Sequence, residues 1–156
     1  MCDCHYIIEG ERDGVIGGDL RMRDLPFGYM VYRPTMESIA KGAAACAKMM
    51  FDIHQQNGTV GYNFAGLPLS VLPGGKAMSA SAMDRLLDGV LHGREHRFYC
   101  SQFVTFVYQF VAEQNQLDAS RMFNVSDSRV SPSTLASLLQ NNRWFAEAGY
   151  VMPRVR

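Results

Sequence analysis

Neither sign of charge is in excess: Lys and Arg together number 15, as do Asp and Glu, and the formal charge is zero. Nothing here recommends a nucleic-acid backbone or an anionic membrane as main partner, because both are held chiefly by massed cations. Long apolar runs are missing too. No stretch approaches the roughly eighteen residues of a membrane span, so no integral membrane association is expected. The polar start Met1-Cys2-Asp3-Cys4-His5 lacks the pattern of a secretory signal, which points to the cytoplasm or to export by a non-Sec route. Cysteine is sparse for 156 residues, at positions 2, 4, 46 and 100, and reads as free thiols rather than a disulfide scaffold. Cys2, Cys4 and His5 could be three metal ligands, but Cys-x-Cys-His lacks the Cys-x-x-Cys pairs of structural zinc sites. No metal and no cofactor is expected. Repeats, low-complexity tracts and linkers are also absent, so residues 1–156 read as one α+β domain with its own core.

What is present alternates short apolar runs with helical stripes. His5 to Glu9 reads as a strand, Gly10 to Gly14 as a five-residue turn, and Val15 to Met22 as the returning strand. That register sets Glu9 against Val15 and His5 against Asp19. Tyr29 to Tyr32 is a third strand, ending at Arg33-Pro34. Thr35 then serves as N-cap for a long helix with Met36, Ala40, Ala43, Ala47, Met50, Phe51 and His54 on one stripe. Asn57 to Phe64 is a glycine-punctuated loop, and Pro68 to Gly75 is irregular. Ser79 or Ser81 caps a helix bearing Met83, Leu86, Leu87, Val90 and Leu91, stopped by Gly93. His92 and His96 fall in the following polar segment, facing solvent, with His96 a reserve base. Asn124 to Ser133 is turn-rich, Ser131-Pro132 opens a short helix through Leu139, and Ala148 to Met152 is a last strand.

The run Arg97-Phe98-Tyr99-Cys100-Ser101-Gln102-Phe103-Val104 carries the chemistry. Phe103, Phe106, Val107, Phe110 and Val111 recur at helical period to about Gln116, and Cys100 sits on that stripe in its first turn. Free backbone N–H groups and the positive end of the dipole favour a thiolate nucleophile there. The Cys100 N–H would also point at an oxyanion. The plain alternative is a buried core cysteine.

In order, the chain has a histidine strand, a hairpin and a third strand ending Val-Tyr-Arg-Pro. A long helix, a Gly-x-x-x-Tyr-Asn-Phe loop, a Tyr-Cys-Ser-Gln helix and a Ser-Pro turn follow. From His5 to Val151 this resembles the circularly permuted papain-like amidases of the YiiX/YaeF type, cousins of the NlpC-type peptidoglycan peptidases and of lecithin:retinol acyltransferase. The resemblance implies a permuted papain-like fold, a small antiparallel sheet packed against helices that include the cysteine-bearing one. It implies Cys100 as nucleophile, in Tyr-Cys-Ser-Gln-Phe-Val where the family has Tyr-Cys-Ser-Glu-Leu-Val, and His5 as general base and acid. The orienting acid usually follows Val-Ile on the next strand. Here Val15-Ile16-Gly17-Gly18-Asp19 leaves Asp19 as its substitute. Tyr62 resembles a cleft tyrosine of the relatives, and Tyr99 is placed with it on the substrate side. The implied activity is a cysteine hydrolase cleaving an amide in a peptide or in peptidoglycan through a thioester. Export by a non-Sec route, as for injected effectors of that superfamily, would bring a delivery or inhibitory protein partner. A lipid acyltransferase or esterase of the same superfamily, or a binding module that has lost its chemistry, are the alternatives.

Overall fold

Helix α3, Cys100–Gln114, is the element against which the rest is laid. The computed structural model describes residues 6–11, 14–19, 28–62 and 76–152, and the architecture is α+β. The stripe expected on α3 is there: Phe103, Phe106, Val107 and Val111 are buried. Phe106 is wholly enclosed, which by area contributes roughly 2 to 3 kcal/mol. Burial extends beyond the stripe to Ser101, Gln102, Thr105 and Gln109, so α3 is covered on most sides.

Helix α1, Glu37–Asn57, crosses α3 where Gly42 meets Val111, whose Cγ1 lies 2.5 Å from where a Cβ on Gly42 would stand. Its buried stripe is Ile39, Ala43, Cys46, Met50 and Ile53. That differs from the expected stripe by a small rotation, which leaves Met36, Ala47 and Phe51 at its margin. Thr35 does not cap the helix. Its N–H and hydroxyl both donate to the Trp144 carbonyl, at 2.8 and 3.2 Å, and Met36 takes the N-cap position. Gly58, with φ of 69°, ends α1 in the left-handed region and donates to the His54 carbonyl.

Six strands form three two-stranded sheets among the described residues. β1 (Tyr6–Glu11) and β2 (Gly14–Asp19) make the expected hairpin, but Glu9 pairs with Ile16 and Tyr6 with Asp19. The register is therefore one residue from the expected one, and Tyr6, not His5, stands opposite Asp19. His5 itself lies outside the described residues, as do Cys2 and Cys4. β3 (Tyr29–Pro34) pairs antiparallel with β6 (Phe145–Val151), which begins three residues before the expected last strand. The supposed loop after α1 contains β4 (Val60–Tyr62), parallel to β5 (His96–Phe98). Helix α2, Ala80–Leu91, lies between them in sequence with Ser79 at its N-cap, and buries Met83, Leu87 and Val90 while Leu91 is exposed. Two short helices complete the described residues, α4 (Ala119–Met122) and α5 (Pro132–Gln140). The Ser131 hydroxyl accepts from the Thr134 N–H, so α5 has the cap that Ser131-Pro132 announces. Among the described residues no helix is long and apolar enough to cross a membrane.

Gly14 fastens the hairpin to this frame. Its φ is 109°, and a Cβ there would lie 2.4 Å from His54 Cε1 and 2.7 Å from the Val60 carbonyl oxygen. Gly14→Ala is expected to destabilise the protein by about 1 to 3 kcal/mol through backbone strain and overlap together. Urea unfolding measures it, and a loss below about 0.5 kcal/mol would refute this packing.

Candidate active site

Cys100 is the first residue of α3, and the chain enters that helix from β5 through Tyr99, extended at φ −95° and ψ 164°. Its neighbours in the first turn face inward. Tyr99 is 1% exposed and its hydroxyl donates to the Asp127 carbonyl at 3.1 Å. The Ser101 hydroxyl donates to the Val130 carbonyl, and Gln102 Nε2 donates to Asp127 Oδ2 at 3.1 Å. Cys100 alone of these four is not buried; the residue is partly buried and its thiol is in no disulfide. Tyr99, expected on the substrate side, is instead an interior strut, with its phenol pushed up to about 12 by burial first and by Asp127 and Cys100 nearby. It is a neutral donor throughout the physiological range.

Asp127 was not visible as a site residue in the sequence. It lies in the stretch read as polar turn, on a 3₁₀ turn Asp127–Arg129, yet is 2% exposed. Burial holds its carboxyl above the usual range, opposed by hydrogen bonds from Gln102 and the Ser128 backbone. Position 102 is thereby explained. An amide donates to Asp127, whereas a carboxylate at position 102 would set a second acid against a buried one. The available signal was apolar: Val125 and Val130 bracket Asp127, and Val130 is fully buried.

His96 also departs from expectation. It opens β5 rather than facing solvent, its ring stacks edge-on to Phe98 at 4.4 Å, and its Nε2 is buried without a hydrogen-bond partner among the described residues. Burial lowers its pKa, with the nearby charge of Asp127 acting the other way. His92 is exposed, and its Nδ1 lies 2.8 Å from the Asp88 carbonyl. His54 is half-buried beside Gly14.

No protein-family model, curated protein or solved structure matches this chain. The site rests on its own geometry. Parallel pairing sets Tyr62 against Phe98, two residues before Cys100; the tyrosine's side chain lies outside the described residues. β1, which follows His5 in sequence, packs on α3. Asp19 is half-buried at the end of β2. Among the described residues no group of three or more His, Cys, Asp or Glu side chains could hold a metal ion.

The buried acid predicts a pH response. With its native pKa raised, Asp127 holds a proton that the unfolded chain has already lost, so its contribution to stability declines as pH rises from the ordinary carboxylate range through the native value. His96, lowered by burial, acts oppositely: stability falls as pH drops below the ordinary imidazole value of 6.5. Asp127→Asn keeps an acceptor for Gln102 and removes the first effect. The variant's stability relative to the wild type is expected to increase as pH rises from about 4 to 6, near and above ordinary carboxylate values. Parallel stability curves over that range would show that Asp127 ionises alike in both states.

Proposed function

We propose that this chain is a cysteine hydrolase of permuted papain-like architecture, cleaving an amide in a peptide or in peptidoglycan through a thioester on Cys100. The observation that carries it is the first turn of α3, in which Tyr99, Ser101 and Gln102 are tied into the interior and only Cys100 is left half-exposed. A helix start held so firmly fixes a thiol in space. The first N–H groups of a helix have no intrahelical partner and can receive an oxyanion.

In this reading His5 takes the thiol proton as sulfur attacks the carbonyl carbon, and returns it to the departing nitrogen as the C–N bond breaks. Water, deprotonated by the same imidazole, then releases the acid and restores the thiol. Asp19 was the expected orienting acid on the strength of a register in which it faced His5; Tyr6 holds that place, so the mechanism assigns Asp19 no step. A lipid ester is the second reading. An apolar cavity of about 450 Å³ runs along α3 past Val104, one turn from Cys100, between Ile8 and Ala43.

The tests separate nucleophile from base. Limited alkylation of the native protein should modify Cys100 and spare Cys46, which is buried with its thiol pushed up to about 11. Hydrolysis of a peptidoglycan fragment should disappear in step with Cys100 labelling, and Cys100→Ala should be inactive while melting within about 2 °C of the wild type, as a half-exposed site permits. His5→Ala should lower the rate about 10²- to 10⁴-fold, the usual contribution of a general base. Activity surviving in Cys100→Ala would overturn the proposal. Loss in His96→Ala with His5→Ala unaffected would transfer the base to His96. Turnover of acyl esters but not amides would select the second reading.

A further inference from the structure

One opening among the described residues lies away from Cys100. It is a cleft of about 860 Å³ between α4, α5 and the turn leading into β6. Its surroundings hang on the middle of α3, where Gln109 donates to the carbonyls of Phe123 and Val125, both at 2.8 Å. Gln109 lies about 13 Å along the helix from Cys100, at 1.5 Å per residue.

The cleft is built rather than incidental. Phe123 stacks on Phe145 with centroids 5.4 Å apart, and Asn142 Nδ2 donates to the Met122 carbonyl, tying the turn to the end of α4. The Asn142 side-chain oxygen in turn accepts from the Trp144 N–H at 3.0 Å. On these walls stand Arg121 and Arg143, with no acidic residue in the lining of a chain whose charges balance overall. Among the described residues neither arginine forms an ion pair. Asp118, the nearest acid in sequence to Arg121, accepts from the Ser120 N–H at 2.8 Å and feels the Arg121 charge without closing an ion pair with it. The Arg143 guanidinium is held over the Trp144 ring, 5.2 Å from its centroid, which orients its donors without consuming them. Asn124 and Ser137 add an amide and a hydroxyl that are likewise uncommitted among the described residues.

We propose that this cleft binds a small hydroxylated molecule bearing an oxyanion, phosphate or carboxylate, with Arg121 and Arg143 on the charge and Asn124 and Ser137 on its hydroxyls. Two guanidiniums outside any close ion pair supply the charge-assisted donors that such a group requires. The volume lies in the range of small-molecule sites, roughly 300 to 1,000 Å³.

Trp144 is the only tryptophan in the chain, so its emission reports on this cleft alone. The full-length protein is titrated with glucose 6-phosphate, glucuronate and glucose. A saturable change with a charged sugar and none with glucose is expected, weakening as salt is raised. Whether phosphate or carboxylate binds more tightly identifies the oxyanion. Arg121→Gln and Arg143→Gln, both at exposed positions and checked for an unchanged melting temperature, should each weaken binding at least about tenfold by calorimetry. An equal response to glucose, silence with both charged sugars, or undiminished affinity in both variants would overturn the site.

Discussion

A helix covered on most of its surface must find partners for every polar side chain it carries, because a buried group left unpaired loses about 1 to 3 kcal/mol. In α3 that obligation falls on Ser101, Gln102, Thr105 and Gln109. Thr105 turns back to the Ser101 carbonyl, and the other three reach the stretch between Phe123 and Val130. This stretch has little regular structure of its own. It is drawn along α3 by these bonds, and its carbonyls and the Asp127 carboxylate accept from the donors of the helix's polar face, while the amide oxygens of Gln102 and Gln109 stay buried without a hydrogen-bond partner among the described residues. The orientation of the first turn, and hence of Cys100, follows from the same contacts.

The parts legible in the sequence were those with a local cause. Apolar spacing after Cys100 marked α3, and Ser131-Pro132 marked α5, because periodicity and caps act over a few residues. The hairpin was visible but its register was not. Gly10 and Gly14 both read as turn residues, Gly17 and Gly18 offer no side chains to choose a pairing, and the chain settles on the shorter connection from Glu11 to Gly14. On α1, alanines and methionines surround much of the helix, so two overlapping stripes satisfy the same period. Packing of Gly42 against Val111 decides between them. Cys100 could be singled out at a helix start from its own neighbourhood. Asp127 could not, since its burial depends on Gln102, which is 25 positions away.

The two described cysteines show how position divides a common chemistry. Cys46 sits in the buried stripe of α1, and desolvation raises its thiol to about 11, leaving it a small hydrophobe. Cys100 begins a helix at the edge of the interior, half-exposed. The side chain is the same in both places, and accessibility and helix position set the two apart.

The parallel pairing of β4 with β5 brings Thr59 and Val60 to His96, with the His96 N–H donating to the Thr59 carbonyl at 2.8 Å. A parallel pair needs a crossover, and here it encloses α2 and the segment before it. Closing so long a loop is entropically unfavourable and comes after local structure in folding. The turn from β5 into α3 is thus set by a distant event, not by the neighbours of Cys100 in sequence. A nascent or partly unfolded chain would hold the same thiol in a different setting, so the reactivity proposed for Cys100 would ripen only when the crossover has closed.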